Sequence, residues 1–420
     1  MQSMNPALDK LLQDNIQELA RQEDLAASEI ITRVKDGQMV LLANPAHERC
    51  LPTLIGQPAR LKINANIGTS PFLNDPDLES AKLRAAEEAG AHTVMDLSTG
   101  GDLNAIRKRL LAETELPLGT VPLYSVAQKY ILHQEDPASM SLSEIMEEIA
   151  RQAEQGVDFM TLHCGVTRRA VALAREGERR LGIVSRGGSL LARWMERNNA
   201  ENPLLTEYDA LLRICCEHNV VLSLGDGLRP GAGEDAGDAA QWEEVVVLGG
   251  LARRARESGA QAMIEGPGHV PLHLIQGQIQ GMKTLCRGAP LYVLGPLPTD
   301  IAAGHDHIAG TVGAALAAYY GADFLCYLTP AEHLTLPNEN DVWQGVKASL
   351  IAAHSAEVSL GRKEAIRRNQ RVSKARSDLD WTTMAEHCLD PHLVRKRREG
   401  FASRQECAMC GEFCAVKLFS

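Results

Sequence analysis

Long apolar runs are absent from this sequence. None reaches the roughly 18 residues that a membrane-spanning helix needs. The opening residues, Met1-Gln2-Ser3-Met4-Asn5, lack the charged and apolar regions of a signal peptide. The expectation is a cytoplasmic protein with no membrane partner. A basic excess is also missing: 43 Lys and Arg face 54 Asp and Glu, for a formal net charge of -11. That balance argues against nucleic acid and for small substrates. Aromatics make up only 4% of the chain, while glycine numbers 35 and alanine is abundant. This composition suits an α/β enzyme better than a β-sandwich. There is no Walker A run, and no G-x-G-x-x-G follows a strand-like segment, which excludes the usual triphosphate and dinucleotide cradles.

What is present is ample apolar material. Hydrophobic residues form 45% of 420, enough for one large domain with appendages. Most of the ten cysteines are scattered in apolar surroundings, as buried thiols in a reducing compartment are. The exception is Cys407-Ala408-Met409-Cys410-Gly411-Glu412-Phe413-Cys414, three cysteines within eight residues. A C-x2-C pair can hold a metal centre from one turn, and Cys414 can close around it. Three thiolates suit a four-iron cluster with one iron open, whereas zinc usually takes a fourth protein ligand. Spacing alone leaves open a cluster, a zinc knuckle borrowing a distant His, and a reactive tail.

Residues 1–60 read as a small N-terminal domain: Leu8, Leu11, Leu12, Ile16 and Leu19 follow helical spacing, then a short strand covers Met39–Leu42. Nothing there rises above packing. Residues 61–360 alternate short apolar strands, polar glycine-rich loops and helices, which predicts a parallel sheet. Polar residues after every strand favour a (β/α)8 barrel. Nine strand-like runs compete for eight places, and one of them, Ile183–Gly188, carries Ser185-Arg186-Gly187-Gly188. Ser141-Leu142-Ser143-Glu144 is a capping box, and Gly90 closes the helix before it. Residues 361–420 form a basic helical arm ending in the cysteine run.

Several loops carry chemistry. Ser185–Ser189 resembles an anion cradle leading into a helix, and Asp226-Gly227-Leu228-Arg229 adds a second cation. His269 and His333 follow strand ends and are a plausible metal pair; the alternative is two surface imidazoles. His163 reads as a substrate hydrogen-bond donor. His305-Asp306-His307 reads as a helix-start cluster. Cys326 is either a reactive thiol or a core cysteine.

Taken together, the runs Asn64–Ser70, Val94–Gly101, Gly119–Tyr124, Ile183–Ser189, Leu222–Gly231, Met263–Leu272, Leu325–Leu334 and the cysteine tail resemble the thiamine pyrimidine synthase (phosphomethylpyrimidine synthase) family of non-classical radical S-adenosylmethionine (SAM) enzymes. The resemblance implies a (β/α)8 barrel with an N-terminal domain and a cluster-bearing arm, in a homodimer. It implies 5-aminoimidazole ribotide as substrate, SAM, a [4Fe-4S] cluster, one divalent metal (zinc or iron), and an electron donor such as flavodoxin or ferredoxin.

By the same resemblance, substrate contacts fall on Asn66, Met95, Tyr124, His163, Ser185, Arg186, Gly187, Asp226, Gly227, Leu228, Arg229, Glu265 and Tyr292. Cys326 and Glu265 take the catalytic roles, His269 and His333 the metal, and Cys407, Cys410 and Cys414 the cluster. Two products are known for the family: hydroxymethylpyrimidine phosphate and 5-hydroxybenzimidazole. This chain departs from the thiamine-type pattern at His305, where Tyr is usual, at Ser125, and over residues 230–238. Those departures favour 5-hydroxybenzimidazole at this stage, with the thiamine product as the alternative. A zinc-dependent barrel hydrolase with a structural zinc tail is the reading from another class.

Overall fold

The computed structural model describes residues 4–419. Its first compact unit ends at Ala353 and its second begins at His354.

The first unit opens with two helices, Pro6–Glu23 and Ala27–Lys35. Asn5 caps the first by accepting the Leu8 N–H, Pro6 starts it with a preset φ, and Asp24 ends it at φ 53°. Leu8, Leu12, Leu19, Ile30 and Val34 bury one apolar stripe against Met39, Leu41 and Leu54. A two-stranded antiparallel ribbon follows, β1 (Val40–Leu42) with β2 (Thr53–Ile55), in the register Val40 to Ile55. β2, a three-residue strand between Pro52 and Gly56, is not anticipated by the sequence reading. The Gln261 amide accepts from the Leu41 N–H and donates to the Leu41 carbonyl, at 2.7 and 3.0 Å. The ribbon is thereby hydrogen-bonded to the residue just before a barrel strand.

The barrel has eight parallel strands: β3 (Lys62–Ile67), β4 (Thr93–Asp96), β5 (Leu118–Thr120), β6 (Phe159–Leu162), β7 (Val221–Leu224), β8 (Ala262–Gly266), β9 (Leu291–Leu294) and β10 (Phe324–Cys326). It closes where β10 pairs with β3, setting Cys326 beside Asn64. The strands read as short apolar runs because almost every position is buried between the barrel interior and the helices. Phe159 and Phe324 meet edge to face at 6.3 Å, and Tyr292 stacks on Phe324 at 4.3 Å. Truncating such a ring to alanine costs about 3–5 kcal/mol.

The ninth strand-like run resolves as a loop. β6 pairs directly with β7, Thr161 opposite Ser223, so no slot remains for Ile183–Gly188. Ser185 instead caps the helix Arg186–Asn198 by accepting the Gly188 N–H. The capping box at Ser141 and Glu144 opens the helix Leu142–Glu154, and Gly90 ends Pro76–Ala89 at φ 98°.

In the second unit, the helices Lys363–Ser377, Trp381–His387 and Pro391–Arg398 precede the cysteine run. The Arg398 guanidinium lies 4.3 Å over the Trp381 ring, and the Trp381 indole donates to the Gln405 carbonyl at 2.8 Å. Among the described residues, no helix is long and apolar enough to cross a membrane.

Candidate active site

The strand ends converge on a cavity of about 570 Å³. Asn66, Met95, Tyr124, His163, Arg186 and Asp226 line it, with Arg229, Glu265, Tyr292 and Cys326 completing the wall. Residues two apart on a strand point to one face, so Thr161 and His163, or Asn64 and Asn66, share a side.

His163 is buried, and burial together with the nearby Arg229 charge depresses its pKa to about 3. It is a neutral imidazole at physiological pH. Its Nε2 and the Ser185 hydroxyl lie 3.1 Å apart. The helix starting at Arg186 approaches this ring closely because Gly187 has no side chain: a Cβ there would sit 2.2 Å from His163 Cε1. A Cβ on Gly188 would sit 2.3 Å from the Gly227 carbonyl oxygen. The two glycines let a helix N-terminus, with its positive dipole end, press against the 226–229 loop.

Two cations stand there. Arg186 lies 4.6 Å over the Tyr124 ring, and Arg229 donates to Asp226 at 3.0 Å. Burial pushes the Asp226 carboxyl up, an effect Arg229 partly offsets. Ser185, Gly187, Gly227 and Leu228 stand apart from the cavity lining and support it from behind. Leu228 is fully buried, and its N–H donates to Glu244 at 2.7 Å.

Across the cavity, Glu265 Oε1 accepts from Thr161 at 2.6 Å and from Ser223 at 2.9 Å, which leaves Oε2 for a ligand's donor. Cys326 is 4% exposed, and burial pushes its thiol up to about 12, so the sulfur keeps its proton. The Asn66 amide donates to this sulfur at 3.1 Å. Asn64 ties the wall together by accepting from Thr93 and donating to Asn66 and to the Tyr292 hydroxyl.

A second cavity of about 660 Å³ shares Asn66, Leu97 and Arg186 with the first and continues to Glu332 and His333. Burial pushes the Glu332 carboxyl up. The rings of His269 and His333 lie 5.3 Å apart. His269 Nδ1 faces Asp300 at 2.8 Å, and His333 Nδ1 faces Asp306 at 3.4 Å. A carboxylate behind each ring leaves both Nε2 atoms for an ion, the arrangement usual around metal-bound imidazoles. The donor set therefore fits one divalent cation.

Sequence reasoning missed Asn64, Thr161, Ser223, Asp300 and Glu332. Asn64 lies two positions before Asn66 on β3, and Thr161 two before His163, which follows the end of β6; Asp300 lies in a loop with no pattern. Asp306 begins the helix Asp306–Tyr319, as the sequence indicated, and also backs His333.

In the second unit, Cys407, Cys410 and Cys414 are free thiols. Backbone N–H groups of Cys410 and Met409 aimed at the Cys407 sulfur hold that thiol below the usual range. Such N–H to sulfur contacts suit thiolate ligands of an iron–sulfur centre.

A neutral imidazole, a glycine-paired helix terminus, two guanidinium groups and a protonated thiol at one barrel mouth define a site for a small, polar, anionic ligand. The family model described as Radical SAM ThiC family matches residues 2–420. Phosphomethylpyrimidine synthase of Methanopyrus kandleri is 49% identical over 411 residues, covering 96% of this chain and 95% of its own. The proteins of that name from Syntrophus aciditrophicus and Dehalococcoides mccartyi (strain CBDB1) are each 47% identical, covering 95% and 100% of this chain and 94% and 97% of theirs. The chain belongs to the radical SAM ThiC family. Membership implies SAM and a [4Fe-4S] cluster.

Proposed function

We propose that this protein is a phosphomethylpyrimidine synthase, converting 5-aminoimidazole ribotide to hydroxymethylpyrimidine phosphate. The observation that carries the choice of product is the shared name of relatives 47–49% identical over at least 95% of the chain. The departure at His305 that favoured 5-hydroxybenzimidazole loses its force, because His305 is exposed and stands apart from the lining of both cavities.

In this reading the substrate's phosphate lies against the N-terminus of the helix Arg186–Asn198, between Arg186 and Arg229. His163 donates to its polar edge, with Ser185 holding the ring from behind at 3.1 Å, and Glu265 Oε2 accepts from an amine. The Cys326 thiol, held protonated, is placed to give up a hydrogen atom rather than to attack as a thiolate. Cys407, Cys410 and Cys414 would hold the cluster, leaving one iron open. When bound, cluster and SAM supply a one-electron cleavage that starts hydrogen abstraction. The cavity lined by Glu332 and His333 would take SAM, and His269 and His333 would hold the divalent ion.

The test is anaerobic turnover of reconstituted protein with SAM, the ribotide and a reductant, followed by mass spectrometry. Hydroxymethylpyrimidine phosphate is expected as the main product, from a brown protein with about four irons per chain. A main product of 5-hydroxybenzimidazole overturns the choice of branch.

A further inference from the structure

The turn His47-Glu48-Arg49-Cys50 lies before the strand starts of the barrel, at the end opposite the mouth. The Cys50 N–H donates to the His47 carbonyl at 2.9 Å, closing the turn. Both side chains meet Asp158, the residue that leads into β6. One ligand atom from each of His47, Cys50 and Asp158 lies within 4.8 Å of the other two. His47 and Asp158 are buried, and Cys50 is half-buried.

We infer that this trio is a structural metal site for one zinc ion, separate from the pair at the mouth. The imidazole and the carboxylate are already oriented from behind. His47 Nε2 faces the Thr114 carbonyl at 3.3 Å, and Nδ1 lies 2.8 Å from Asp158 Oδ2 with a proton between them; the ion would take that proton's place and leave the ring N–H on Nε2. Asp158 takes the Asn44 N–H on Oδ1 and the Leu118 N–H on Oδ2, each at 2.7 Å. Outer hydrogen bonds of this kind hold metal-ligating imidazoles and carboxylates.

Charge and softness agree. On binding, the ion would release the Cys50 thiol proton and the proton shared by Nδ1 and Asp158 to solvent; the neutral imidazole, thiolate and carboxylate left behind carry two negative charges, which a divalent ion cancels. Thiolate with imidazole selects zinc over magnesium or calcium. Two residues separate His47 from Cys50, so a single closed turn delivers both side chains, as it does in a C-x2-C pair. The half-buried side of Cys50 admits water as the fourth ligand. The ion would tie residues 44–50 to the entries of β5 and β6, stapling the N-terminal segment to the barrel.

The test uses the full chain with the other candidate ligands replaced: Cys407→Ser, Cys410→Ser, Cys414→Ser, His269→Gln and His333→Gln. Reduced protein is equilibrated with zinc, desalted and assayed for metal. One zinc per chain is expected. Adding Cys50→Ser or His47→Gln should lower zinc content at least tenfold and abolish the rise in Tm that zinc produces. X-ray absorption at the zinc edge reads the site without those two variants and should show one sulfur at about 2.3 Å with nitrogen and oxygen neighbours. Absence of zinc, an all-N/O shell, or zinc content unchanged by both variants would overturn the site, leaving a hydrogen-bonded trio without an ion.

Discussion

Gly187→Ala tests how the mouth is built. The added Cβ would stand 2.2 Å from His163 Cε1 and 2.3 Å from Nδ1, where ordinary contact begins at 3.4 Å. Either the ring or the helix start must retreat by about 1.2 Å. The ring cannot tilt freely, since its other face packs against Gly225, whose own Cβ would lie 2.8 Å from Cδ2. The helix cannot slide inward, because Gly188 already abuts the Gly227 carbonyl. Overpacking of this sort costs about 1–3 kcal/mol of stability. Misplacing the anion-binding groups by about 1 Å should cost roughly 10²-fold in kcat/KM.

Gly250→Ala is the matched control. It lies inside the helix Ala239–Ser258 with open space at the Cβ, so it should stabilise by about 0.5–1 kcal/mol and leave turnover unchanged. The assay is anaerobic kcat/KM alongside Tm. A Gly187→Ala enzyme within about threefold of wild type would refute the close-approach reasoning.

Four further outcomes follow from the same geometry. Cys326, its thiol pushed up to about 12, should resist iodoacetamide at pH 8 in the native, metal-free chain while Cys410, an exposed thiol, is alkylated; rapid labelling of Cys326 in peptide mapping would contradict its burial. Asp300→Asn and Asp306→Asn should weaken divalent-metal binding at the His269 and His333 site by about 10–100-fold, measured by competition with a chelating dye. Burial raises Glu244 from 4.5 to about 8, so the folded state holds a proton that the unfolded state has lost. Stability from this group is present below pH 4.5 and is lost as pH rises through about 8, and Glu244→Gln should remove that component from urea melts taken across the interval. Replacing any one of Cys407, Cys410 and Cys414 with Ala should abolish turnover and lower iron content without moving the Tm of the barrel; unchanged iron content would exclude the tail as the ligand set.

The sequence by itself determined the class of the fold and most of the mouth. Apolar runs ending in glycine and polar residues mark strands buried on both faces, and the polar residues that follow them are forced to one end by parallel strands. His163, Asp226 and Cys326 were legible for that reason, whereas Asn66 and Glu265 came only through the family resemblance. Caps were legible as well, because Ser141 with Glu144 and Gly90 act within a few residues of themselves.

The tertiary structure decided what depends on closure. Ile183–Gly188 looks like a strand by composition, but β6 pairs with β7 and leaves it no partner, so it becomes the lead-in to the helix that presents Arg186. His305 differs from the family pattern by type, yet its place on the exposed start of a helix separates it from both cavities. Asp300 and Asp306 acquire a role only when the chain brings them behind His269 and His333. His47 and Cys50 read as packing residues until Asp158, over a hundred positions later, meets them beneath the barrel. Local pattern fixes which residues lie on a face or at a turn. Which distant side chains share a few ångströms of space is set by how eight strands close into a ring.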